Sequence, residues 1–316
     1  MSAGDARAAG TRLRSTAGTV PGTGTVRPAA TGERAARRGG RWPVRTVVVR
    51  ALVGVLLLLY AAISLYPFLW MVSAAFKNQY EVVAGGHLIP HHPTLHTLAQ
   101  TWNELHFFDY FLNSLKVTGL TVLLVLLVYA AAGYAFAALE FPLRLALYRL
   151  FLALLFVPGV TMLLPIVLLE HKLGLLGNHW GLILPFVNGS APLSVFMLTN
   201  AFEAVPRDLR EAALVDGAGE PRIFATIYLP LSRPVLVTIA ILTAIPTWNE
   251  YLLTRVSLND PHAFTLPIAL QNLQSSAVLH YNVLMAGALI VVVPVIVLFV
   301  LAQRYFVNGL LGAVKG

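Results

Sequence analysis

The stretch VLMAGALIVVVPVIVLFVLAQ, residues 283–303, runs for 21 residues without an ionisable side chain. At about 1.5 Å of rise per residue, a helix of that length reaches about 30 Å, the thickness of the hydrocarbon core of a bilayer. Lipid cannot hydrogen-bond a bare backbone, and the run lacks the ten-residue polar/apolar alternation of a barrel strand, so it reads as a membrane-spanning helix.

Five further runs of spanning length lie upstream, roughly 48–76, 115–138, 149–169, 181–202 and 234–254, each bounded by charge, Gly or Pro. The expected fold is therefore an all-α integral membrane protein with six transmembrane helices. Composition agrees: 57% of the 316 residues are hydrophobic, only 11% are charged, and the mean hydropathy is +0.73. Soluble domains carry about 25% charged residues. The 48–76 run is too long for the apolar core of a signal peptide and is expected to remain as the first span.

Residues 1–45 are rich in Ala, Gly, Arg and Thr and have too little apolar surface to fold, so they are expected to form a disordered N-terminal tail, with the six-helix transmembrane domain occupying 46–316. Ten of the basic residues lie in the first fifty and account for the net charge of +8, which removes the case for a nucleic-acid partner. With the N-terminus inside, 18 of the 22 Lys and Arg fall on the cytoplasmic side, and Lys77, Lys116, Lys172 and Arg255 alone fall outside. The positive-inside rule then puts both termini in the cytoplasm of a multi-pass chain.

Two connecting segments are long, an outer loop at 77–114 and an inner loop at 203–233. Long ordered loops are usually functional. In the inner one, Pro206 near a helix start, Asp208 in its first turn and Asp216-Gly217-Ala218-Gly219 as a stop predict a helix over 205–215. Pro221 then opens a second short helix, 222–229, which Pro230 is expected to end. The apolar stripes Leu209, Ala212, Ala213 and Ile223, Phe224, Ile227, Tyr228 both call for a partner surface. From the residues alone, the first helix fits equally a docking helix presenting Glu211 to a cationic partner or a lipid-interface helix with an internal Arg207–Glu211 pair.

Glu211-Ala212-Ala213, three residues, Gly217, nine residues, Ile227, one residue, then Leu229-Pro230 resembles the whole EAA loop signature of bacterial ABC importer permeases, the inner membrane components of binding-protein-dependent transport systems. The resemblance covers roughly 46–316 and is closest to the carbohydrate group, the maltose-type second permease. Tyr110-Phe111-Leu112-Asn113-Ser114, Leu173-Gly174-Leu175-Leu176-Gly177-Asn178, Trp248-Asn249 and the ending Gln303-Arg304-Tyr305-Phe306-Val307 to Gly312-Ala313-Val314-Lys315-Gly316 carry it, while Thr254-Arg255 departs from the apolar-proline pair common there.

The resemblance implies a type I ABC importer permease fold in a bacterial cell membrane. It assigns Glu211, Ala212, Ala213, Asp216 and Gly217, with Ile227, Leu229 and Pro230, to a loop that docks on a cytoplasmic ABC ATPase dimer. The further partners it implies are a second permease subunit and an extracytoplasmic solute-binding protein. ATP and Mg would belong to the ATPase, this chain binding no cofactor. The 256–281 segment, with Pro261, Pro267, Gln271, Asn272 and Gln274, resembles the loop that reaches the binding protein in maltose-type permeases.

Other residues complete the reading. Trp248, Asn249 and Glu250 lie in the fifth span and are candidates for the solute pathway, with an outer-interface anchor as the rival role. Pro158, Pro165 and Pro246 are helix breakers able to kink a wet pathway. The outer loop holds His87, His91, His92, His96 and His106, yet the first four have no Cys, Asp or Glu at ligand spacing, so no metal site is expected. There is no cysteine, no P-loop, no Ser/His/Asp set and no His-Glu-x-x-His motif, so the chain is expected to be a non-catalytic transport subunit. A self-sufficient secondary transporter would need coupling acids inside the spans, where Glu250 stands almost alone, with Glu170 at an edge. Polyamine or polyol cargo remains the alternative to carbohydrate.

Overall fold

The computed structural model describes residues 44–103, 105–275 and 280–313, with side chains placed through most of that range. The expected tail, 1–45, lies outside the described residues but for its last two, and the side chains of the ending from Arg304 onward lie outside them too. The chain divides into two units, residues 1–56 and 57–316.

The first helix, α1 (Val44–Ala75), matches the run expected at 48–76. Within the second unit its apolar side chains stay exposed from Leu57 through Leu69, as suits a helix solvated by lipid rather than by this chain. Burial begins at Ser73, Ala74 and Ala75, where the segment after Phe76 folds back on the helix end. There Ser73 Oγ donates to the Leu88 carbonyl, the Lys77 ammonium to that of His87, and Thr94 N–H to Phe76 O at 2.9 Å. Two short helices follow, α2 (Gln79–Ala84), capped by Asn78, and α3 (His96–Asn103).

Helix α4 (Phe107–Ala138) starts at Phe107 rather than at 115, so the outer loop is shorter than expected and Tyr110 to Ser114 are already helical. The polar residues that made this stretch look like loop are those that anchor it. Asn113 Nδ2 donates to the carbonyls of His262 (2.8 Å) and Phe264 (3.0 Å), and Ser114 Oγ accepts from Leu266 N at 2.9 Å.

The third expected span, 149–169, is not one straight rod. Helix α5 (Arg144–Leu154) and a 3₁₀ turn leading into α6 (Leu163–Leu173) meet at 96°. Pro158 opens the turn, and a residue preceding proline is pushed away from helical geometry, so the helix stops there.

Helix α7 (His179–Glu203) then runs along α4. A Cβ added to Gly133 would lie 2.6 Å from Leu198 Cβ, so only glycine permits this approach of the two helices.

Beyond α7 come α8 (Arg207–Val215), α9 (Glu220–Ile223), a π turn over Phe224–Tyr228, α10 (Leu229–Leu231) and α11 (Arg233–Trp248). Pro230 does not end the second short helix, which carries on to Leu231. Proline has no N–H and clashes with the carbonyl four residues back, and the widened turn just before it, closed by Leu229 N–H on Phe224 O, is where a helix absorbs such a misfit.

The fifth span ends at Trp248, short of the expected 254, and the chain restarts as α12 (Leu252–Ser257), α13 (Leu266–Gln274) and α14 (Tyr281–Ala313). Among the described residues, four helices are long and apolar enough to cross a membrane. Two bent pairs, 144–173 and 220–248, bring the number to six when each counts as one span.

Candidate functional site

The 203–233 loop behaves as two halves. In the first, Pro206 occupies the N-cap position of α8 without a side-chain cap bond, Asp208 sits in its first turn, and the helix stops at Asp216. Gly217 N–H donates to Leu214 O (3.0 Å) and Ala218 N–H to Ala213 O (2.9 Å), the paired bonds of a Schellman ending. Gly217 has φ +79°, the conformation the sequence required of it.

None of the α8 side chains is buried. Glu211 and Ala212 face outward with Asp216, and Val215 is 88% exposed, while Ala213 leans against the core. Glu211 has no ion-pair partner among the described residues, and the Arg207–Glu211 pair considered from the sequence does not form.

The second half is part of the core. Ile223 is fully buried and Tyr228 nearly so, in a cluster with Tyr129, Tyr134, Leu198, Phe202, Val205 and Ile239. The π turn presents Phe224 and Tyr228 to Tyr134, at ring-centroid distances of 5.1 and 4.8 Å, and Tyr228 to Phe202 at 5.7 Å. The partner that this apolar stripe demanded is thus the chain's own α4 and α7. Ile227, Leu229 and Pro230 are half-buried there.

A polar contact ties the halves together. Arg210 of α8 donates to Glu220 of α9, and the Tyr134 hydroxyl donates to the other oxygen of the same carboxylate. Burial pushes the Glu220 carboxyl up, but the hydrogen bonds from Tyr134 and Arg210, with the guanidinium charge, outweigh it and hold the group below the usual carboxylate range. None of these three residues stood out in the sequence. Arg210 and Glu220 are ten residues apart and Tyr134 is 86 from Glu220, so no local spacing links them.

A cavity of about 650 Å³ lies among α6, α7, α11 and α12, where both bent segments and the prolines Pro185, Pro192 and Pro246 leave the packing open. Its polar lining comprises Asn188, Ser190, Ser194, Thr243, Thr247 and Glu250 amid Leu, Val and Phe. Of the three pathway candidates, only Glu250 lines it. The Glu250 carboxylate accepts from Leu253 N (2.8 Å), Thr254 N (3.0 Å) and Thr254 Oγ1 (2.8 Å), so it caps α12 and favourably meets the positive end of that helix. Trp248 is instead buried away from the cavity, with Nε1 donating to Val291 O of α14 at 3.1 Å, and exposed Asn249 donates to Ile245 O.

Of the outer-segment histidines, His91 gives its backbone N–H to Glu81 at 2.6 Å, and no group of three metal-binding side chains occurs among the described residues. In the segment compared with a binding-protein loop, Gln271 is half-buried and Asn272 and Gln274 are exposed on α13; residues 276–279 lie outside the described residues.

Comparison with known proteins agrees with this architecture. The chain is 35% identical over 265 residues to a probable ABC transporter permease protein, YurM, of Bacillus subtilis (strain 168), covering 84% of this chain and 88% of that one. It is 33% identical over 274 residues to the galactooligosaccharides transport system permease protein GanQ of the same organism, covering 85% and 96%. In three dimensions it matches a chain of a bacterial ABC transporter that imports the acidic polysaccharide alginate, with a TM-score of 0.76 and 23% identity over 84% of this chain and 99% of that chain. Residues 129–311, which hold the loop, the cavity and the last four of the six spans, match the model of one family, and the chain belongs to it: the binding-protein-dependent transport system inner membrane components.

Proposed function

We propose that this chain is one of two permease subunits of an ATP-driven carbohydrate importer, and that α8 is the element an ATPase pushes. The observation that carries the reading is the outward face of α8. Glu211 and Ala212 stand exposed beside a helix end closed by a left-handed Gly217, while the apolar stripe of the next half is already satisfied internally. A small residue beside an unpaired carboxylate suits a groove with a cation in it, where a charge-assisted hydrogen bond can form.

In this reading the loop faces the cytoplasm, as do both termini, and ATP and Mg bind the partner ATPase. The cavity is this chain's share of the solute pathway, its hydroxyl and amide groups suited to a neutral polyhydroxyl cargo and its apolar walls to the faces of sugar rings. A galactooligosaccharide permease among the relatives and a polysaccharide importer among the similar folds support carbohydrate over polyamine, for which one capped carboxylate is a thin provision. The exposed face of α13 belongs to the side that meets a solute-binding protein.

Topology tests the orientation directly. Reporter fusions after residues 100, 145, 175, 218, 265 and 316 are expected to read out, in, out, in, out, in. A cytoplasmic signal at 100 or 265 contradicts the reading. Cargo is tested by uptake of labelled oligosaccharide and labelled polyamine in the native host with and without this gene, and loss of the polyamine alone would contradict the carbohydrate assignment.

A further inference from the structure

Glu220 accepts from two directions, from Tyr134 near the end of α4 and from Arg210 on α8. Among the described residues, Tyr134–Glu220 is the side-chain hydrogen bond that joins 207–231 to a spanning helix. Arg210 directly precedes Glu211 on a helix, where adjacent residues point about 100° apart, so turning the guanidinium inward leaves the next carboxylate facing out. Packing of the Tyr134 ring against Phe224 and Tyr228 fixes the position of its hydroxyl, while Arg210 and Glu220 are partly exposed. A charge-assisted network anchored on a packed ring is stronger than an isolated contact in bulk solvent.

We infer that Tyr134, Glu220 and Arg210 form a clamp that makes α8 and the adjoining end of α4 move as one body, so that a push on α8 reaches the second span without slack. The inference rests on the coupling reading of α8 and extends it. The three are positioning residues; none lines the cavity. Helix α4 is well placed to receive the push, since it packs along α7 and α11 and is fastened to the 260–266 segment at its other end.

Absence of cysteine makes the test direct. Nitroxide labels at Leu127→Cys on α4 and Val215→Cys on α8, sites 62% and 88% exposed, report one distance within the chain. The tagged chain is purified with its partners from native membranes, placed in liposomes of the same lipids, and measured with and without ATP and vanadate. The expected result is a narrow distribution that changes by less than about 2 Å between the two conditions, no more than an ordinary interface helix shift.

Tyr134→Phe, which keeps the ring packing and removes the donor, and Glu220→Ala should each widen the distribution at least twofold. The charge exchange Arg210→Glu with Glu220→Arg should narrow it again, a rescue that mere loss of folding would not give. A larger shift in the unmodified clamp, or unchanged narrow distributions in both single variants, overturns the inference. Glu211→Lys separates it from the reading beneath it. If that variant keeps its ATPase, the coupling reading fails and transmission through the clamp fails with it. If it loses the ATPase while the clamp variants keep narrow distances, the clamp alone fails.

Discussion

Residues 207–215 and 220–231 are neighbours in sequence, similar in length, both helical and both furnished with an apolar stripe, yet the first has no fully buried side chain and the second enters the core. The difference lies in side-chain size and in what each meets. Ile223, Phe224 and Tyr228 are large and face the aromatic pair Tyr134 and Phe202, so burial returns much apolar area. Leu209 and two alanines offer little area, and the faces beside them carry Arg207, Asp208 and Glu211. In the proposed reading, one half fastened and the other exposed make a handle with a fixed root. In a family of inner membrane transport components, that is the form expected of a part moved from outside.

Substitutions should separate the two halves sharply. The largest effect is expected from Glu211→Lys, which reverses the charge on the exposed half. Truncating or reversing one partner of a charge pair buried at an interface costs roughly 2–5 kcal/mol, so ATPase retention should fall by at least tenfold with membrane insertion unchanged. Ile223→Ala, in the buried half, should instead destabilise the chain itself by about 2–5 kcal/mol, read as earlier thermal loss of the detergent-purified protein.

Gly217→Val should cost about 1–3 kcal/mol through its positive φ, loosening the end of α8 and weakening ATPase retention less than the charge reversal does. Leu209→Ala should lie within about 0.5 kcal/mol in stability, because the side chain is half exposed already. If Leu209→Ala matched Ile223→Ala in thermal loss, the contrast between the halves would be broken.

Acid gives the mildest probe. The folded-state pKa of Glu220 is lowered, so the stabilisation it supplies is fully present above the carboxylate's unfolded pKa and is lost as pH falls through the lower folded value. Amide exchange protection over 220–231, corrected for the intrinsic pH dependence of exchange, should therefore hold at neutral pH and decline only at acid pH. Glu220→Gln should abolish that pH dependence.

The parts legible in the sequence were those governed by local chemistry. Apolar runs of about twenty residues announce spans, and Pro206, Asp208 and Gly217 announce a capped helix with its stop, because each acts through the backbone within a turn or two. What stayed hidden depends on partners distant in the chain. Asn113 and Ser114 looked like loop residues because their acceptor and donor lie about 150 positions away, at 262–266. Trp248 and Glu250 read alike as pathway candidates, but one is pinned to α14 and the other caps a helix that begins only after a break the sequence did not mark. The clamp was invisible for the same reason: nothing near Tyr134 calls for a carboxylate.

The central claim is that α8 is a docking handle for an ATPase. Its most direct test is to purify the tagged chain from native membranes, as wild type and as Glu211→Lys, and to quantify the ABC ATPase that comes with it by mass spectrometry. The account predicts stoichiometric ATPase with the wild type and at least a tenfold loss with Glu211→Lys at equal amounts of inserted chain. Equal ATPase in both preparations would contradict it and return α8 to the role of a helix lying at the lipid interface.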